Sequence, residues 1–246
     1  MTTDRQSAGN EDGAVSKANL DASRSGPLAS RFKARDTVLD APLQPDQEWA
    51  NALTHGIAAL GALILGIHLV FAALPGEPGL ATSCVAYVAS VFGTFFFSTM
   101  SHVVRRQPLL NTMRAYDQAM IYMMISGTYT QIIFRYADDS HRALLLWAIW
   151  IAAWAGFLKK VAFRYRVNAS GTYTYLLLGW LPSIPLASNV PSVLVKWMLA
   201  GGVLYTVGVL FLMNDRKLPY LHAVWHLFVM LAAAFHYYAI LRYVVG

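Results

Sequence analysis

Charge is scarce in this chain. Of its 246 residues only 13% are Asp, Glu, Lys or Arg, about half the share in an ordinary soluble domain, while 57% are hydrophobic. A soluble fold of this length can bury a good core but still needs a charged surface. The composition therefore excludes a soluble globular domain and a wholly disordered chain. Cysteine is nearly absent as well. The single Cys84 excludes an intramolecular disulfide framework and any multi-cysteine metal site. Acidic residues number 13 against 19 basic ones, a formal net charge of +6. Such a balance suggests a nucleic-acid partner until the charges are placed along the chain.

Long apolar runs fill the space that charge leaves. Residues 1–45 precede them and are polar, mixed in charge and rich in Ser, Ala, Gly and Asp, with no run able to serve as a signal-peptide core. They read as a mostly disordered tail, with a short uncapped helix conceivable around Leu28–Lys33. From residue 46 to 246 the chain reads as one membrane domain. A hydrocarbon core of ~30 Å needs roughly 20 helical residues. Runs of that order fall at 52–74, 80–103, 112–134, 142–162, 172–188, 194–213 and 220–244, so the expected fold is an all-α bundle of seven transmembrane helices. The fifth is interrupted by Pro182 and Pro185, which neighbouring helices can cover. Elsewhere the breakers sit between runs, as in Pro75-Gly76-Glu77-Pro78-Gly79. The runs are continuous rather than alternating, which argues against a membrane β-barrel. Ala58, Ala62 and Gly66 recur at one-turn spacing and predict close helix packing.

Placing the basic residues on alternate connections gives an orientation. The tail and the second, fourth and sixth connections hold 15 of the 19, including Arg105, Arg106, Lys159, Lys160 and Arg216. Leaving out the tail, the ratio is still 9 to 4. The excess of Lys and Arg on one side predicts a cytoplasmic N-terminus and an outer C-terminus in a multi-pass cell-membrane protein, plasma membrane or bacterial inner membrane. The basic balance is then a topology signal, and no nucleic-acid partner is needed to explain it.

Ionisable residues within membrane helices are costly and mark function by default. His102 ends the second run, and His222 and His226 open the seventh, so all three fall at the cytoplasmic level. Asp117 is the only acidic residue well inside a span, about six residues or roughly 9 Å into the third run from the same side. Ser98 lies one turn deeper than His102 on one helix face. His222 and His226 have the i, i+4 spacing of helix-borne zinc pairs. With His102 they offer three neutral nitrogens, the number found in open, catalytic zinc sites. Asp117 would orient a water or accept its proton, and Ser98 would donate to an oxyanion. The plainer readings are a Ser98 hydroxyl bonded to its own helix and an Asp117 paired with Arg114. Glu48, Asn51 and His55 at the start of the first run read as a polar clasp. His68 and His236, toward the outer half, read as interhelical hydrogen bonders, and His141 as a solvated loop residue.

These residues fall in recognisable segments. They are Glu48-Trp-Ala-Asn51-Ala-Leu-Thr54-His55-Gly56, Ser98-x-x-x-His102, Asp117 with Ile121-Tyr122 and Gly127-Thr128-Tyr129-Thr130, and Pro219-Tyr-Leu-His222-Ala-Val-Trp-His226-Leu-Phe. In kind and order they resemble the hemolysin III branch of the progestin and adipoQ receptor family, a group that includes alkaline ceramidases. The resemblance implies seven membrane helices, an inside N-terminus and one buried zinc. Its zinc ligands fall on His102, His222 and His226, and its further site positions on Ser98 and Asp117. Two positions depart from the pattern: Gln118 stands where many members carry His, and Gln131 where Pro is common. Three functions follow as expectations. The first is a zinc-dependent hydrolase of a lipid amide or ester, with membrane lipid as partner. The second is a pore-forming, cytolytic protein. The third is a zinc-stabilised receptor or lipid-homeostasis regulator without turnover. No motif in the spans sets an oligomeric state.

Overall fold

The computed structural model describes residues 44–163 and 169–246. The expected disordered tail and the helix around Leu28–Lys33 lie outside the described residues, as do Arg164 and Arg166 of the orientation count.

Among the described residues the fold is all-helical. Helices α1 (Pro45–Ala73), α2 (Pro78–Val103), α3 (Leu109–Tyr136), α4 (Asp139–Phe163) and α5 (Ala169–Trp180) are followed by a single turn, α6 (Ser183–Leu186). Then come α7 (Ser192–Met213) and α8 (Leu221–Ile240), which runs into a π-helical turn at Leu241–Val245. Each expected run contains helix. The breakers act where the sequence puts them. Pro78 opens α2 at its first turn, where its missing N–H costs nothing. Pro182 ends the helical run of α5, and the chain resumes as the one-turn α6.

Among the described residues five helices are long and apolar enough to cross a membrane: α1, α2, α4, α7 and α8 with its π-helical end. The chain is thus an integral membrane protein, with five of the seven expected spans qualifying on length and composition. The other two fall short for different reasons. α5 has 12 residues, about 18 Å at 1.5 Å per residue, because Pro182 stops it. α3 has 28 residues but carries Ser126, Thr128, Thr130 and Gln131 through its middle. This helix packs against α2, α4, α5 and α8, and its buried residues face all directions. A helix walled by protein has no need of an apolar perimeter.

The bundle is inverted relative to a soluble one. On α4, Leu144, Trp147, Ile151, Trp154 and Leu158 recur at three- and four-residue steps, and each is at least half exposed. A soluble helix would bury that stripe. Hydroxyls inside the bundle are satisfied locally instead. Ser90, Thr94, Thr128 and Thr130 each donate to a carbonyl three or four residues back in their own helix. A smaller set ties helices together: Ser126 Oγ donates to Ile149 O at 2.9 Å, and Trp150 Nε1 to Thr130 Oγ1 at 3.2 Å.

Small residues set the closest approaches. Gly66 of the predicted small-residue row faces Val88 of α2 with no room for a Cβ. Gly127 of α3 lies against Ser90, and a Cβ there would stand 3.3 Å from the Cα of Tyr87. Backbone cannot yield as a side-chain tip can. Gly127→Val is therefore expected to destabilise the α2–α3 pair by roughly 1–3 kcal/mol. A lowered thermal midpoint of the detergent-solubilised protein would register it, and an unchanged midpoint would contradict the close packing.

Candidate metal centre

Three imidazoles converge where the end of α2 meets the start of α8. His222 and His226 lie one turn apart on α8 and so share a face. His102 comes from the last turn of α2. One ring nitrogen from each lies within 4.8 Å of the other two. Ring centroids are 4.7 Å apart for His222–His226, 5.1 Å for His102–His222 and 5.2 Å for His102–His226. His226 is buried and the other two are half-buried.

The outer nitrogen of each ring is engaged. His102 Nδ1 meets Glu48 Oε2 at 2.5 Å, His222 Nδ1 meets Asp215 Oδ2 at 3.0 Å, and His226 Nδ1 meets Asn51 O at 3.2 Å and Thr54 Oγ1 at 3.0 Å. A carbonyl or carboxylate oxygen only accepts, so each Nδ1 carries the hydrogen and donates it. The Thr54 hydroxyl is spent on Ala50 O and Asn51 O of its own helix, leaving its oxygen to accept. Each neutral ring then keeps its lone pair on Nε2. His102 Nε2 is buried with no hydrogen-bond partner, which is costly for a polar atom unless something binds it. Three Nε2 lone pairs, each backed by an acceptor behind the ring, are the donor set of an imidazole-bound transition metal. The residues fit a metal ion.

The acceptors come from two places. Glu48, Asn51 and Thr54 belong to the first turns of α1. Asp215 sits in the connection between α7 and α8, seven residues before His222. That connection is pinned to α1. Tyr220 has φ of 62°, the left-handed region rare for a non-glycine residue, and its hydroxyl donates to Asp46 Oδ2 at 2.7 Å. Its backbone N–H donates to Gln47 Oε1 at 3.3 Å.

The other expected site residues lie close by but contact different partners. Ser98 Oγ is 2.7 Å from His55 Nδ1 of α1. Asp117 Oδ2 accepts from Ser101 Oγ at 2.9 Å, while Arg114 reaches toward Glu48 at 3.9 Å instead of Asp117. His55 was the residue undervalued by the sequence. It is stacked on His226 with centroids 3.5 Å apart, and its Nε2 is buried without a partner. Its place two turns beyond Glu48 on α1 was the available signal. Asp215 gave none, because only the folded loop brings it to His222. Farther out, His68 Nδ1 makes its expected interhelical bond to Tyr237 Oη at 3.0 Å, and His141 is exposed.

A cavity of about 380 Å³ opens beside the centre. Ser98, Asp117, His55, His222 and His226 line it, and beyond them its wall is largely apolar, including Ile121, Ile125, Leu199 and Val209. Gln118, at the departing position, also lines it and accepts from Lys160 Nζ at 2.9 Å.

The fold and site define an all-helical integral membrane protein with a three-histidine centre beside an apolar cavity. The model of the family described as Haemolysin-III related matches residues 43–237, and the chain belongs to that family. It is 34% identical over 202 residues to Hemolysin-3 of Bacillus cereus, covering 80% of this chain and 92% of that protein. Identity to the Hemolysin-3 homolog of Bacillus subtilis (strain 168) is 31% over 203 residues, 81% of this chain and 95% of the relative. The human Monocyte to macrophage differentiation factor is 28% identical over 199 residues, 79% and 83% of the two chains.

Glu48→Gln keeps every imidazole but weakens the acceptor behind His102. Metal affinity is expected to fall roughly 10- to 100-fold, as for other partners behind metal-bound histidines. Competition with a chelator measures this, and an unchanged affinity would detach Glu48 from the centre.

Proposed function

We propose that this protein is a zinc-dependent hydrolase of a lipid amide or ester, with its centre near the cytoplasmic face and the start of α1 on the cytoplasmic side. The observation that carries the reading is the convergence of three imidazoles, one ring nitrogen of each within 4.8 Å of the other two, beside a largely apolar cavity. Zinc is the ion of choice because three neutral imidazoles suit it and leave a fourth position open. Held there, it supplies Lewis acidity toward a carbonyl and toward water.

The remaining work falls to this chain's own side chains. The apolar wall holds the acyl chain and so fixes its carbonyl at the histidine end. Asp117 lines the cavity with one oxygen accepting from Ser101, which leaves the other free to take a proton from the attacking water. Ser98 and His55 form a hydrogen-bonded pair on the cavity wall. Ser98 is positioned to donate to the oxygen that gains charge as the carbonyl is attacked. His55, stacked on His226, fixes the direction of that hydroxyl.

A reading without turnover shares these residues. Acceptors from α1 and the α7–α8 connection stand behind ligands on α2 and α8, so a bound metal clamps separate parts of the bundle. Such a protein would be a zinc-stabilised receptor. The pore reading draws less support, since the cavity wall beyond the histidine end is largely apolar and its polar groups are scattered, where conduction wants a continuous polar lining.

Purified protein in lipid is expected to release a fatty acid, and His226→Ala to abolish release. Asp117→Asn should retain zinc and lower kcat by roughly 10²- to 10⁴-fold. Activity that survives complete removal of zinc would sink the hydrolase. Stoichiometric zinc that raises the thermal midpoint with no turnover of any lipid amide or ester would favour the receptor.

A further inference from the structure

At the other end of the cavity lies a second polar group that the hydrolytic chemistry does not use. His236 is ten residues beyond His226 on α8, roughly 15 Å at 1.5 Å per residue. It lines the cavity and is 7% exposed. Its Nε2 donates to Met198 O at 3.1 Å, which leaves Nδ1 as an unprotonated acceptor. Among the described residues no donor reaches that atom, although it is fully buried. The Nε2–Cδ2 edge of the ring lies against Gly201 of α7, so the Nδ1–Cε1 edge is turned away from that helix. The expected interhelical bond of His236 is therefore made by one nitrogen only.

Tyr205 supplies the matching oddity. Its ring lies 5.6 Å from that of His236, and it lines the same cavity. Among the described residues its hydroxyl finds only the thioether of Met124, at 3.9 Å, as an acceptor. A thioether is a weak acceptor. Side by side are thus a buried acceptor lacking a donor and a hydroxyl lacking a good acceptor. One small group answers both: a hydroxyl, which donates to Nδ1 and accepts from the tyrosine.

We propose that this end of the cavity is a binding subsite for a hydroxyl carried part-way along a lipid acyl chain, held between His236 Nδ1 and Tyr205 Oη. The proposal rests on the reading of the cavity as an acyl-chain site. It goes further by making the protein selective among chains of equal length. A plain chain would leave Nδ1 unpaired and the tyrosine on its weak thioether acceptor, and that penalty is where the discrimination arises.

Trp180 and Trp225 line the cavity, so their fluorescence reports occupancy of the full-length protein in detergent. The probes are octadecanoate and its mid-chain hydroxy derivative. The wild-type protein should bind the hydroxylated chain about five- to tenfold more tightly, as two modest hydrogen bonds allow. Tyr205→Phe, which deletes one oxygen, should reduce that preference and leave binding of the plain chain unchanged. His236→Phe should remove the preference. His226→Ala should keep it, because the subsite is separate from the metal centre. Equal binding of the two chains by the wild type would overturn the subsite while leaving the acyl-chain reading intact. Binding of neither chain would overturn that reading and the subsite with it.

Discussion

Everything at the centre depends on one kind of hydrogen bond: the Nδ1–H of each imidazole donating outward to a fixed oxygen. A neutral histidine can present either nitrogen, and its ring can turn. Glu48, Asp215, and Asn51 with Thr54 remove both freedoms for His102, His222 and His226. What remains is three lone pairs facing inward at fixed separation. The surrounding fold can be understood as the means of bringing those oxygens into place. The first turns of α1 deliver most of them, and the left-handed Tyr220 folds the preceding connection so that Asp215 lies beside His222.

Much of this architecture was legible in the sequence because the bilayer is a demanding solvent. It forces apolar runs of fixed length, so the helices could be placed. The exceptions are equally instructive. α3 reads as a poor span because its Ser, Thr and Gln residues face other helices and one another's carbonyls, where polarity is tolerated. The ligands were legible for a related reason. A histidine or carboxylate in so apolar a chain stands out, and the i, i+4 pair with a third residue at equal depth narrowed the choice to few positions. Spacing along a helix reports its own face and nothing of what lies opposite. His55 could not be assigned to Ser98 and His226, nor Asp215 to His222, until the helices were packed. The same limit made His236 look like a satisfied bridging residue, when half of its ring is unpaired.

The cavity joins two environments that seldom meet. Its histidine end is built from groups that polarise and transfer protons, and its remaining wall from groups that exclude water. A site of this kind in aqueous solution would have to shed a hydration shell before binding an acyl chain. Within a bundle surrounded by lipid, an acyl chain bound as proposed would pass from one apolar phase to another, and selectivity would shift to the few polar atoms that line the way. Gln118, held by Lys160, belongs to that small set.

The span of chain between partners has a consequence for biogenesis. His226 finds its acceptor Thr54 across 172 residues, and His102 finds Glu48 across 54. Membrane helices enter the bilayer in order of synthesis, so α1 must wait in lipid until α8 arrives before Thr54 and the Asn51 carbonyl can receive the His226 Nδ1–H. Until then His102 is the only one of the three clustered histidines in place. Closure of the cluster is therefore tied to the final docking step, and an intact cluster becomes a record of which molecules have completed assembly.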